Sequence, residues 1–178
     1  MNSKSHQPRK PRRRERTNAP VVRLILLSLG FWAAALWLVS RVPGIEAFGI
    51  RVTILSVRAV LALTGAHVEQ LGQILFVGKT SVTISPDCSP HLPYLIFAGG
   101  LLATPATWRQ RAIGLLIGAL VIHVFNVARI LALVAVLTTH HEWFEFTHVY
   151  LWQIGTIVVV LAAFVLWLEW TRRPARAA

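Results

Sequence analysis

The chain has 178 residues, of which 55% are apolar and only 14% charged. A soluble domain of that length could not bury so many large apolar side chains, so lipid must be part of its solvent and a freely soluble protein is excluded. The formal net charge of +11 is clustered, with Lys4, Arg9, Lys10, Arg12, Arg13, Arg14 and Arg16 near one end and Arg172, Arg173 and Arg176 near the other.

Clusters of this kind flanking apolar segments predict two basic tails, residues 1–20 and 171–178, on the cytoplasmic side of a membrane domain at 21–170. A nucleic-acid partner is not expected, because the basic tail has no aromatic interleaving and no binding fold behind it. Residues Met1 to Pro20 are polar and proline-bearing, which predicts disorder. The pair Arg13-Arg14 is not followed by the apolar stretch that a twin-arginine signal needs. Val21 to Ser40 is apolar apart from Arg23, which can snorkel, and about twenty residues suffice to cross a bilayer. It predicts an uncleaved first span, ended by Arg41-Val42-Pro43-Gly44.

Ile50 to Thr64 admits two readings. It is apolar enough for a span, yet Arg51 and Arg58 fall on one helical face with Ile54, Leu55 and Leu61 mostly elsewhere, the pattern of a helix lying in the interface. Leaving it out of the count keeps Arg109, Arg111 and the C-terminal arginines on one side, so the interfacial reading is preferred. From Gln73 to Ser85 the period changes to alternation around Gly78-Lys79, which predicts a small β-hairpin. Such an element has polar edges and cannot sit in hydrocarbon, so it belongs on the outer surface.

Leu92 to Thr104 predicts a short second span; a re-entrant loop is the alternative, and it would leave Arg109 and Arg111 outside. Ala112 to Thr138 predicts the third span and Val149 to Trp170 the fourth, with an outer loop at 139–147. The expected fold is therefore an all-α integral membrane protein of about four transmembrane helices, with an outer-face amphipathic helix and a small β-hairpin.

This topology brings three reactive residues to one depth. Cys88 heads the second span and His148 the fourth. Arg129 lies roughly 25 Å above the inner end of the third, at ~1.5 Å per residue. A thiolate is a strong nucleophile whose pKa falls beside a cation. An imidazole can take the thiol proton and later protonate a leaving amine. A guanidinium can stabilise the oxyanion of a tetrahedral intermediate. Cys88, Arg129 and His148 together therefore point to acyl transfer through a thioester, with Asn126, one turn from Arg129, as a supporting residue that aims it.

Each residue also has a blander reading. A lone buried cysteine is usually inert packing, an interface histidine is often merely polar, and Arg129 could snorkel; Asn126 could serve helix–helix bonding, and the deeper His123 is better read as structural. A single cysteine allows no intrachain disulfide. Cys88, His91, His140 and His141 fit no standard zinc spacing, so no metal and no other cofactor is expected. A haem held by His123 and His148 is opposed by their different depths. Asp87, beside the thiol, would raise its pKa unless it orients a histidine.

The cysteine after a hairpin, the run Asn126-Val127-Ala128-Arg129-Ile130, and the loop from Trp143 through His148 to Trp152 resemble the exosortase/archaeosortase family, and within it the exosortase H subgroup. The resemblance extends from about Gly65 to Trp170. It implies a bacterial or archaeal inner-membrane cysteine protease or transpeptidase, multi-pass, with its site facing the periplasm or cell exterior. Its partners would be membrane lipid and exported proteins ending in a short motif, a transmembrane helix and a basic tail. The resemblance assigns the acyl intermediate to Cys88, with Arg129 and His148 as its partners. Relatives carry Cys-(Ser/Asn)-Gly where this chain has Cys88-Ser89-Pro90, so the turn after the nucleophile is expected to differ. The rival expectation is a non-catalytic membrane assembly subunit.

Overall fold

The computed structural model describes residues 19–139 and 141–172. Of the basic tails expected at 1–20 and 171–178, residues 1–18 and 173–178 lie outside the described residues, as does His140 of the loop expected at 139–147. Helix α1 (Ala19–Arg41) starts two residues earlier than its apolar run, with Pro20 in the first turn, where a missing N–H costs nothing. It stops where expected, because Pro43 cannot donate to a continuing helix.

Helix α2 (Pro43–Leu63) restarts at once, with Pro43 itself as its first residue. The expectation began this element at Ile50. Pro43-Gly44 reads as a breaker in sequence, but the fixed φ of proline also suits a helix start. The two helices meet at 83°, so α2 runs across the direction of α1. One face of α2 buries Ile50, Thr53, Ile54 and Val57, while Phe48, Arg51, Leu55 and Arg58 are exposed.

The predicted hairpin is present as part of a three-stranded antiparallel sheet, β1 (Val68–Leu71), β2 (Ile74–Val77) and β3 (Thr80–Thr83), in that spatial order. Two-residue connections begin with Gly72 and Gly78, both at φ 62°. Only glycine takes that first position of a tight hairpin turn without strain. Strand β1 was missed because Glu69 and Gln70 break the apolar alternation; pairing with β2, Val68 opposite Val77 and Leu71 opposite Ile74, holds it. Leu75 and Ile84 turn inward and are 1% and 0% exposed, so the sheet is anchored on α2 and α4 rather than free.

Helix α3 (His91–Ala103) has 13 residues, a rise of about 20 Å, which is short of a ~30 Å hydrocarbon core. Helix α4 (Trp108–Thr139) has 32 residues. A three-residue turn, α5 (Phe144–Phe146), and a π-helical turn at Thr147–Leu151 lead into α6 (Trp152–Arg172). Two segments, Trp108–Thr139 and Phe144–Arg172, are long and apolar enough to cross a membrane, and a third if α1 and α2 count as one bent span.

Lipid-facing surface is conspicuous. Leu116, Ile117, Leu120 and Val124 of α4, and Ile154, Ile157, Val158 and Leu161 of α6, are all exposed. Continuous apolar faces of that extent need cover by lipid or by another apolar surface, and on helices this long they are consistent with a membrane protein. Phe97, Leu101, Ile122, Val160 and Trp167 join α3, α4 and α6 in one cluster. Gly118 and Gly114 make that joint close, because the rings of Phe97 and Trp167 lie where a side chain at those positions would begin. A second cluster gathers α2, the sheet and the C-terminal half of α4 around Cys88.

Candidate active site

The turn bearing Cys88 is a single 3-10 turn, Pro86–Cys88, entered from extended backbone at Ser85. Two backbone bonds close it: Cys88 N–H donates to Ser85 O and Ser89 N–H to Pro86 O, both at 2.9 Å. Pro90 then caps α3 at φ −79°, inside the range its ring permits, and its carbonyl accepts from Tyr94 N–H at 3.0 Å. The glycine usual at this place in the resembled family is therefore not needed for backbone reasons, since no residue from Ser85 to Pro90 has a positive φ.

Asn126 holds this turn from the side. Its Nδ2 donates to Cys88 O at 2.7 Å, between residues 38 apart in sequence, and Asn126 is only 5% exposed. With the bond to Ser85, the peptide groups on both sides of Cys88 are pinned. Asn126 thus acts on the backbone of Cys88; no hydrogen bond joins it to Arg129, the contact expected from their spacing. Replacing Asn126 with Leu should leave the Cys88 carbonyl buried without a donor. Loss of a buried partner costs about 1–3 kcal/mol, so thermal unfolding in detergent should shift down by several degrees. An unchanged melting curve would show the bond to be dispensable.

Arg129 lies one turn further along α4 and is half-buried. Its Nε is buried without a hydrogen-bond partner, and among the described residues it makes no ion pair. A guanidinium stays protonated, so this is a retained positive charge on an apolar helix. His148 sits in the π-helical turn with its ring stacked on Phe144, 5.5 Å between centroids and 7° between planes. Such π turns are rare and concentrate at functional sites.

Of the three predicted residues, Arg129 lies on the helix that holds the Cys88 turn through Asn126, His148 lies on the turn leading into α6, and the three side chains are not joined. Cys88 is 9% exposed and its sulfur packs in the aliphatic cluster of α2, the sheet and α4. Among the described residues, no hydrogen bond links Cys88 Sγ to His148 or Arg129. The polar neighbour of the sulfur is the Ser85 hydroxyl, at 3.6 Å.

Sequence reasoning missed two further features here. Ser56 Oγ lies 2.9 Å from His123 Nε2 and also donates to Val52 O. His123, read as structural, thereby ties α2 to α4. Ser89 Oγ lies against the bare Cα of Gly49, so α2 covers the outside of the Cys88 turn. A bond spanning 67 residues leaves no local signal, whereas Gly49 on the buried side of an amphipathic helix was one. A small cleft between α3, α4 and α6, lined by Pro90, Pro93, Phe125, Asn126 and Thr156 among others, opens on the other side of Asn126. Among the described residues, no three His, Cys, Asp or Glu side chains gather as metal ligands. The side chains of Asp87 and His141 are outside the described set.

Compared with protein-family models, curated proteins and solved structures, the chain matches none of them.

Proposed function

We propose that this chain is an integral membrane cysteine endopeptidase or transpeptidase of exosortase type. It cleaves C-terminal sorting signals of exported proteins through a thioester on Cys88. The observation that carries this reading is the buried bond from Asn126 to the Cys88 carbonyl, which ties the backbone of the only cysteine to a helix that bears, one turn further on, an arginine whose Nε is buried without a hydrogen-bond partner among the described residues. A packing cysteine needs neither.

In the proposed reaction, His148 takes the thiol proton and the thiolate attacks the scissile carbonyl. Arg129 stabilises the oxyanion, the amine leaves with the proton from His148, and water or an acceptor amine resolves the thioester. The separation of Cys88 from His148 requires a rotation of the thiol and an approach of the 141–151 segment on substrate binding; catalytic bonds are often long before substrate arrives. The domain crosses a bacterial cytoplasmic membrane with about four spans and its site at the outer face. There α2 and the sheet lie on the surface, and a substrate helix docks alongside the spans.

The burial of Cys88 favours the second reading, a non-catalytic membrane assembly subunit, and one experiment separates the two. The full-length protein in proteoliposomes is mixed with an exported protein ending in a motif, a transmembrane helix and a basic tail, and then acid-quenched. We expect an adduct on Cys88 that hydroxylamine removes, seen by intact mass. Cleavage without any adduct would overturn the thioester route, and no cleavage of any such substrate would leave the assembly reading standing.

A further inference from the structure

The proposed chemistry assigns His148 to the thiol proton but leaves open what steadies the sulfur once that proton has gone. The structure offers one group. Ser85 Oγ stands 3.6 Å from Cys88 Sγ, within sulfur hydrogen-bonding distance, and no other hydrogen bond of this hydroxyl is formed among the described residues. The pair is held by its own turn: Ser85 is the residue before the 3-10 helix, its carbonyl accepts from Cys88 N–H at 2.9 Å, and Asn126 fixes the other side of Cys88. Both side chains are at least partly buried, and the cluster around the sulfur is aliphatic, namely Ile54, Val57, Ile84 and Ile130 among its members. A thiolate in such surroundings is penalised by desolvation unless something donates to it.

From this geometry we infer that Ser85 is a positioning residue for the nucleophile, its hydroxyl donating to the Cys88 thiolate. This rests on the reading of Cys88 as a nucleophile. In the resting thiol the hydroxyl can accept S–H or donate to sulfur; when the proton leaves to a base, the hydroxyl keeps its own proton and turns it to S⁻. No bond is made or broken at Ser85. A hydrogen bond to an ionised partner is roughly twice as strong as a neutral one, so the bond favours the ionised form.

The chain has a single cysteine, so alkylation by iodoacetamide reports on Cys88 alone. The rate is followed against pH for the full-length protein in nanodiscs, in wild type, Ser85→Ala and Ser85→Thr. The midpoint of the pH profile is independent of how slowly reagent reaches a buried site; the plateau at high pH is not. We expect Ser85→Ala to raise the midpoint by about half to one pH unit, which slows labelling roughly three- to tenfold below it. Threonine, which keeps the hydroxyl, should restore the wild-type midpoint. Should the alanine variant fail to accumulate, Ser85→Gly removes the hydroxyl by another route. An unchanged midpoint in the hydroxyl-free variant, or a change in plateau only, would overturn the inference and make Ser85 a packing residue. The two readings fail separately. A shifted midpoint with normal processing by Cys88→Ala would remove the protease and keep the pair. An unshifted midpoint with an inactive Cys88→Ala would do the reverse.

Discussion

Cys88→Ala is expected to abolish processing of a substrate carrying the C-terminal motif, helix and basic tail, by at least about a thousandfold, while the protein still inserts and folds. The size follows from the role: removing a nucleophile eliminates the covalent route, and what remains is whatever binding and oxyanion stabilisation give an attacking water. The preserved fold follows from the structure. Cys88 is held by its backbone, through Ser85 O and Asn126 Nδ2, and alanine keeps both bonds. Only the sulfur is lost from the cluster of Ile54, Val57 and Ile130, a small deletion beside the loss of a larger side chain. Processing is read by the ratio of full-length to cleaved substrate in membranes, with insertion checked by resistance to alkaline extraction. A wild-type rate in Cys88→Ala would end the nucleophile assignment. Cys88→Ser is the finer instrument, since it keeps size and hydrogen-bonding capacity but has a far weaker nucleophile. It should resemble alanine in rate and wild type in stability.

How much of this was legible beforehand depends on whether a feature is local. The β2–β3 hairpin could be read because Gly78-Lys79 separates alternating residues, a signal contained in a dozen positions. Strand β1 could not, since its Glu69 and Gln70 have no intrinsic preference and take their conformation from a partner strand. Arg129 stood out because a charge on an apolar helix is expensive wherever the helix goes. The contact of Asn126 was misjudged for the opposite reason. Spacing of three along a helix suggested Arg129 as its partner, whereas the amide found an unpaired carbonyl in a turn 38 residues away. Buried carbonyls demand donors, and that demand is created only when the turn docks on α4. Ser85 was passed over because a hydroxyl three residues from a cysteine is unremarkable until the 3-10 turn closes and sets the two atoms 3.6 Å apart. The long helices were plain from hydropathy, but the right-angle bend between α1 and α2 and the 13-residue length of α3 depend on caps and packing.

Arg129→Ala should cost processing about a hundred- to a thousandfold, the loss seen when one donor to a developing oxyanion is removed. The loss is expected in kcat, with KM little changed, because the oxyanion exists only in the transition state. Stability should move the other way. Among the described residues Arg129 has no ion pair to break, and its Nε is buried without a hydrogen-bond partner. Deleting it removes a charge that is costly at membrane depth, so Arg129→Ala should insert at least as well as wild type and resist unfolding at least as well. That combination, less activity with equal or greater stability, separates a catalytic arginine from a snorkelling one, for which both would be unchanged. It also separates it from a structural arginine, for which both would fall together. Arg129→Lys sharpens the point. Lysine keeps the charge but replaces a planar fork with a compact ammonium on a flexible stem, so it should recover only part of the lost rate if directed hydrogen bonds matter. Full recovery by lysine would mean that positive charge alone suffices at this position. A wild-type rate in the alanine variant would remove Arg129 from the reaction.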